Sequence, residues 1–206
     1  MDRKALFDAV RPYAPGAKLK PEWVPMIDAL ADAMGLPRAV GGPGEPDPEL
    51  IAALKKDEGL RLKAYPDPLS PRARTDKGSG APWTIGYGRA RGIQEGQVIT
   101  EATAEAWLIE DAREHNLVIH AALPWLKRLD PVRRRVVENM HFNMGWDNPK
   151  TPAVEGLAQF KNTLGHIEAG RYAEAAAAMR ASLWAKQVKG RAVRLAREME
   201  TGRIAQ

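Results

Sequence analysis

A chain of 206 residues, 44% of them hydrophobic, has room for one ordinary domain with a real core and a short appendage. It contains no cysteine, which excludes a disulfide framework, a thiolate metal site and a cysteine nucleophile. A net charge of +5 and a pI near 9.5 favour a polyanionic partner, and no apolar run approaches the roughly 18 residues that span a bilayer.

In chain order, Leu6, Phe7 and Val10 share one helical face, and Trp23, Ile27, Leu30 and Met34 follow at i, i+4, i+7 and i+11. Residues 1–39 are therefore predicted to be a helical extension, either a packing element or a binding module. Residues 40–47 are rich in glycine and proline and read as a linker, leaving 48–206 as the main domain. Asp47-Pro48 supplies an N-cap and a first-turn proline to a helix that Gly59 ends. Leu60, Leu62 and Ala64 then alternate with Arg61, Lys63 and Tyr65, and Trp83, Ile85 and Tyr87 alternate around Thr84 and Gly86, which predicts a small antiparallel sheet within 60–99.

Leu108, Ala112, His115, Ile119 and Ala122 mark a long helix that Pro124 should end. Asp130-Pro131 opens another, with Val132, Val136, Val137, Met140 and Met144 inward and Gly145 as its stop. Shorter helical segments follow near 154–164 and 172–179, and Val188, Ala192, Leu195 and Met199 predict one last basic amphipathic helix over 186–203. The sum is an α+β fold, mostly helical with a small sheet.

The densest chemistry lies between Glu58 and Gly88. Glycosidic hydrolysis needs one carboxyl group that donates a proton to the leaving oxygen and a second, ionised one that activates water or stabilises the transition state. Glu58, in the last turn of a helix, faces unpaired carbonyls that favour the protonated form of an acid. Asp67, nine positions on between Pro66 and Pro68, suits the ionised partner, and Thr84 could hold the water. The same acids also read as a solvated helix end and an Asx turn, and spacing alone leaves both readings open.

The run Asp57-Glu58-Gly59-Leu60-Arg61-Leu62-Lys63-Ala64-Tyr65, then Asp67, then Thr84-Ile85-Gly86-Tyr87-Gly88, resembles the catalytic glutamate, aspartate and threonine segments of the T-even phage lysozyme family, glycoside hydrolase family 24. The resemblance continues through Arg134 to Gly145, Phe160 to Leu164, Tyr172 to Ala176 and Gly190 to Arg194, and so covers roughly 48–204. It implies a lysozyme-like fold and a phage endolysin, a muramidase that cleaves the β-1,4 bond between N-acetylmuramic acid and N-acetylglucosamine of bacterial peptidoglycan by inversion. It implies Glu58 as general acid and Asp67 with Thr84 as water holders. It further implies Arg191 beside Glu58, Arg194 paired to Asp57, and Asn139, Asn143 and Tyr87 near the cleft. Without an export segment, the enzyme is expected to wait in the host cytoplasm until a holin opens the membrane, and then to reach the wall. No cofactor is expected, and the protein is expected to be monomeric. Its appendage could bind cell wall, and its charge could engage an anionic outer-membrane surface.

The chain departs from the family pattern in two places. Residues 68–83 lengthen the step from aspartate to threonine, which makes Asp76 a rival to Asp67, and Arg89 stands where the family commonly has histidine. Rival functions are a lytic transglycosylase, which would leave an anhydro sugar, and a non-catalytic basic protein that binds wall or permeabilises membrane. Other signals are weak. The segment from Gly86 to Arg91 lacks the third glycine of a dinucleotide fingerprint, His115 and His120 lack a third metal ligand, and no nucleic-acid motif accompanies the basic charge.

Overall fold

A computed structural model of the chain describes residues 3–13, 27, 30, 31, 33, 34, 44–66, 82–147 and 156–205. The chain divides into two compact units, Met1–Glu45 and Pro46–Gln206. In the first, helix α1 (Arg3–Val10) runs into a 3-10 turn at Arg11–Tyr13. Leu6 and Val10 gather with Ile27 and Ala31 into a small cluster. The second helical face differs from the predicted one: Leu30 and Met34 are each half exposed, whereas Ala31 is fully buried. The face follows Ile27 and its i+4 neighbour Ala31, and the larger side chains lie to one side of it. Trp23 lies outside the described residues.

The second unit opens with helix α2 (Pro48–Glu58). The Asp47 side chain accepts the Glu49 N–H at 2.8 Å, and Leu50, Ile51 and Leu54 face inward. Strand β1 (Arg61–Pro66) pairs antiparallel with β2 (Trp83–Gly86), Tyr65 opposite Thr84, with an irregularity that shifts the register before Arg61 meets Gly86. On the other side of β1, the backbone between 97 and 99 bonds to Ala64 and Leu62. The two strands do not alternate as predicted. In β1 only Ala64 is buried, while Leu60 and Leu62 stay more than a third exposed. In β2, Thr84, Ile85 and Gly86 are all buried, because this strand packs on the helix that follows. Gly86 explains that approach: a β-carbon there would sit 3.4 Å from the Ala104 side chain, and its φ of +66° already disfavours other residues.

Helix α3 (Glu101–Ala122), about 33 Å long at 1.5 Å per residue, serves two cores. Ala104, Leu108 and Ala112 pack with α2 and Tyr87, while Ile119 joins the larger helical core. Helix α4 (Pro131–Met144) has the predicted bounds, with an Asp130 cap that accepts the Arg133 N–H at 3.0 Å and a stop at Gly145. Helices α5 (Lys161–Glu168) and α6 (Tyr172–Ala181) complete the bundle with the C-terminal segment.

That last segment is two helices where the pattern predicted one, α7 (Leu183–Val188) and α8 (Gly190–Thr201). They are broken at Lys189, whose φ of +48° and ψ of −110° lie outside the helical region. Ala192, Leu195, Ala196 and Met199 nonetheless give α8 the expected buried stripe. The architecture is mostly helical with a two-stranded antiparallel sheet. Among the described residues no helix is long and apolar enough to cross a membrane.

Candidate active site

Consecutive residues on a helix diverge by about 100°, and the end of α2 uses that divergence. Asp57 turns into the bundle, its side chain only 7% exposed, where Arg194 Nη2 lies 2.6 Å from both carboxylate oxygens. Asn139 of α4 donates Nδ2–H to Asp57 at 3.0 Å and accepts Arg191 Nε–H on its own side-chain oxygen at 2.9 Å. The amide orientation follows from these partners, since each of its ends meets a group of the complementary kind. The backbone carbonyl of Asn139 accepts a third bond, from Arg191 Nη2. Glu58 is the last residue of α2, and its Oε1 accepts Arg191 Nη1–H at 2.7 Å. Gly59, with φ of +70°, then turns the chain away, a step that favours glycine.

Glu58 lines a cavity of about 380 Å³ together with Tyr87, Gly88, Arg89, Asp111, His115 and Asn143. Among the described residues its Oε2 has no hydrogen-bond partner, and a β-carbon on Gly88 would come within 4.0 Å of that atom. Asn143, at the end of α4, accepts the indole N–H of Trp184 at 2.8 Å. Tyr87 is mainly a core residue, packed with Leu50, Ile51 and Leu54. Thr84 is buried in β2 and is not among the cavity residues. Asp67 and Asp76 lie outside the described residues, as does most of the segment between Asp67 and Thr84.

The α3 side of the cavity was not anticipated. Asp111, Glu114 and His115 stand at i, i+3 and i+4, the spacing that puts helical residues on one face. That spacing is local in the sequence, but His115 also fits the apolar phase of the helix, which hides it. Arg89 is nearly buried, with Nη1 2.6 Å from Glu110 and 3.3 Å from Asp111, and its guanidinium lies 5.1 Å from the centre of the Trp107 ring. Burial nevertheless pushes the Asp111 carboxyl up to about 6. Glu114 and Glu110 add to that rise, and Arg89 opposes it. Behind the cavity, the His115 and His141 rings meet edge to face at 5.0 Å, with the Nδ1 of each buried and unpartnered among the described residues. Burial lowers both, His141 to about 3 with the His115 charge as a lesser cause, so both imidazoles are neutral at pH 7.

The family description "Phage lysozyme" matches residues 55–200. The chain is 34% identical over 73 residues to an endolysin of Acyrthosiphon pisum secondary endosymbiont phage 1, covering 35% of this chain and 42% of that protein. It is 28% identical over 184 residues to the pre-baseplate central spike protein Gp5 of Enterobacteria phage T4, covering 77% of this chain but 29% of that protein. To the probable T4-type lysozyme 1 of Dictyostelium discoideum it is 29% identical over 167 residues, covering 73% of this chain and 93% of that protein. The chain thus spans less than half the length of the first two relatives and nearly all of the third. A match from the last turn of α2 to the last turn of α8 takes in the acid at the cavity, both arginines behind it and the bundle that holds them, and the chain belongs to the phage lysozyme family.

Proposed function

We propose that the protein is a peptidoglycan muramidase of the endolysin type, cleaving the β-1,4 bond between N-acetylmuramic acid and N-acetylglucosamine with inversion. The observation that carries the reading is Glu58: one carboxyl oxygen is fixed by Arg191, while the other has no partner among the described residues. With Oε1 turned to the Arg191 cation, Oε2 is the oxygen left to carry a proton, and it delivers that proton to the leaving glycosidic oxygen. Asp67 holds the attacking water on the opposite face of the sugar, with Thr84 beside it, and Asp76 is the alternative acid from the same loop. Asp57, Arg194 and Asn139 act through Arg191 by fixing where it holds Glu58. The net charge of +5 suits an anionic envelope. Residues 1–39, joined through 40–47, add wall contact or packing, and the enzyme acts once a holin has given it access from the host cytoplasm to the wall.

Glu58→Gln tests this directly, because glutamine keeps an oxygen to accept the Arg191 N–H but has no proton to donate. Lysis of permeabilised cells should fall by at least about 100-fold, and wild type should release muropeptides with ordinary reducing ends. Retained lysis in the variant, or anhydro-sugar products from wild type, would reject the mechanism.

A further inference from the structure

The glycan backbone offers neutral sugars at the bond to be cut, yet besides Glu58 the cavity carries two arginines and two further acids, Asp111 and Glu114. The two arginines differ in what they have left to give. Arg89 is 13% exposed and is held by Glu110 and Asp111 against the Trp107 ring. The Arg91 side chain is 63% exposed, and its two terminal nitrogens reach one carboxylate end-on: Nη1 to Glu114 Oε2 at 3.4 Å and Nη2 to Oε1 at 3.2 Å. A guanidinium has five N–H donors in a fixed fork. Two point at Glu114, and the other three have no acceptor among the described residues. An exposed pair of this kind adds little to stability, but Glu114 orients the fork, which lowers the entropy lost when a second acceptor arrives. On one edge of the plane the Nε–H and a neighbouring Nη N–H run parallel, and the chemical class that fits such a two-donor fork on a cavity rim is a carboxylate.

Resting on the muramidase reading, we infer that Arg91, oriented by Glu114, binds a carboxylate of the peptide stem carried by the muramic acid, and so sets a preference for unamidated over amidated stems. Arg91 is the specificity-determining residue and Glu114 positions it.

The test uses the full chain and isolated peptidoglycan, native or with its stem carboxyls converted to amides by carbodiimide and ammonia, with reducing-end release as the readout. The kcat/KM ratio of native to amidated wall should be about 10 or more for wild type, the worth of a charge-assisted pair. It should fall to about 1 in Arg91→Gln, whose melting curve should overlay that of wild type, and fall by a smaller factor in Glu114→Gln. Lys186→Gln removes an exposed charge elsewhere and should keep the wild-type ratio. A wild-type ratio near 1, an undiminished ratio in Arg91→Gln, or an equal drop in Lys186→Gln would overturn the inference while leaving muramidase activity standing. If wild type released no reducing ends from native wall, the muramidase reading would fall and take this inference with it.

Discussion

Asn139 shows how much one neutral side chain can hold. It is 1% exposed and touches two charged groups that are themselves nearly buried, Asp57 and Arg191. Removing it would take one bond from the Asp57 carboxylate, which keeps Arg194, and leave the Arg191 Nε–H only its longer 3.3 Å approach to Asp57; two hydrogen bonds to charged groups in low dielectric would be lost. Asn139→Ala should therefore lose about 2–4 kcal/mol in urea unfolding, and its lysis rate should fall as well, since Arg191 loses one of its guides. A loss under about 0.5 kcal/mol, the scale of an ordinary surface substitution, would mean that water replaces the amide and that the cluster does not depend on it. The arginines reach these acids from 133 and 137 residues away. No local pattern encodes such a contact, and here only the resemblance to a family pointed to it. The Asp111, Glu114 and His115 wall is the opposite case: its spacing is local, and what hides it is a histidine that also fits the apolar phase of the helix.

Among the elements, those bounded by side-chain chemistry were the most legible. Helix α4 begins after Asp130-Pro131 and ends at Gly145 because a cap and a glycine stop act within a few residues of themselves. The break at Lys189 had no such marker. Apolar positions at 188, 192, 195 and 199 keep a single helical phase across it, and only the backbone shows that the chain leaves the helix for one residue. A non-glycine residue at φ of +48° and ψ of −110° is strained. Lys189→Gly should relieve that strain and stabilise the protein by about 1 kcal/mol after the extra unfolded-state entropy is subtracted. A rise of a few degrees in Tm would show it, whereas a fall would mean that the Lys189 side chain contributes more than the backbone costs. Burial in the sheet was legible only in part, since alternation marks two faces without revealing whether anything covers them.

For the molecule as a whole, the buried histidines set the response to acid. Unfolded imidazoles take up a proton near pH 6.5, whereas folded His141 does so only near 3 and folded His115 also below its ordinary range. Between those values the unfolded chain binds more protons, so stability is full above about pH 6.5 and falls as pH drops toward 3. Asp111 works against this. It keeps its proton up to about 6 when folded, so its contribution is present below about pH 4 and is lost as pH rises through 6. The His141 shift is the larger of the two, and the net expectation is a Tm that falls steadily from pH 7 to pH 5. His141→Leu should flatten that slope, and an unchanged slope in the variant would assign it to other groups. The reach from α2 to α8 also has a consequence in time. A ribosome makes Glu58 well over a hundred residues before Arg191, the residue that seats it. Until translation passes Arg191, the nascent chain carries its acid with neither arginine made, and the pair is complete only after Arg194. Under the proposed muramidase reading, activity is tied to the synthesis of the last helix, and a product truncated short of α8 is expected to be inert toward peptidoglycan.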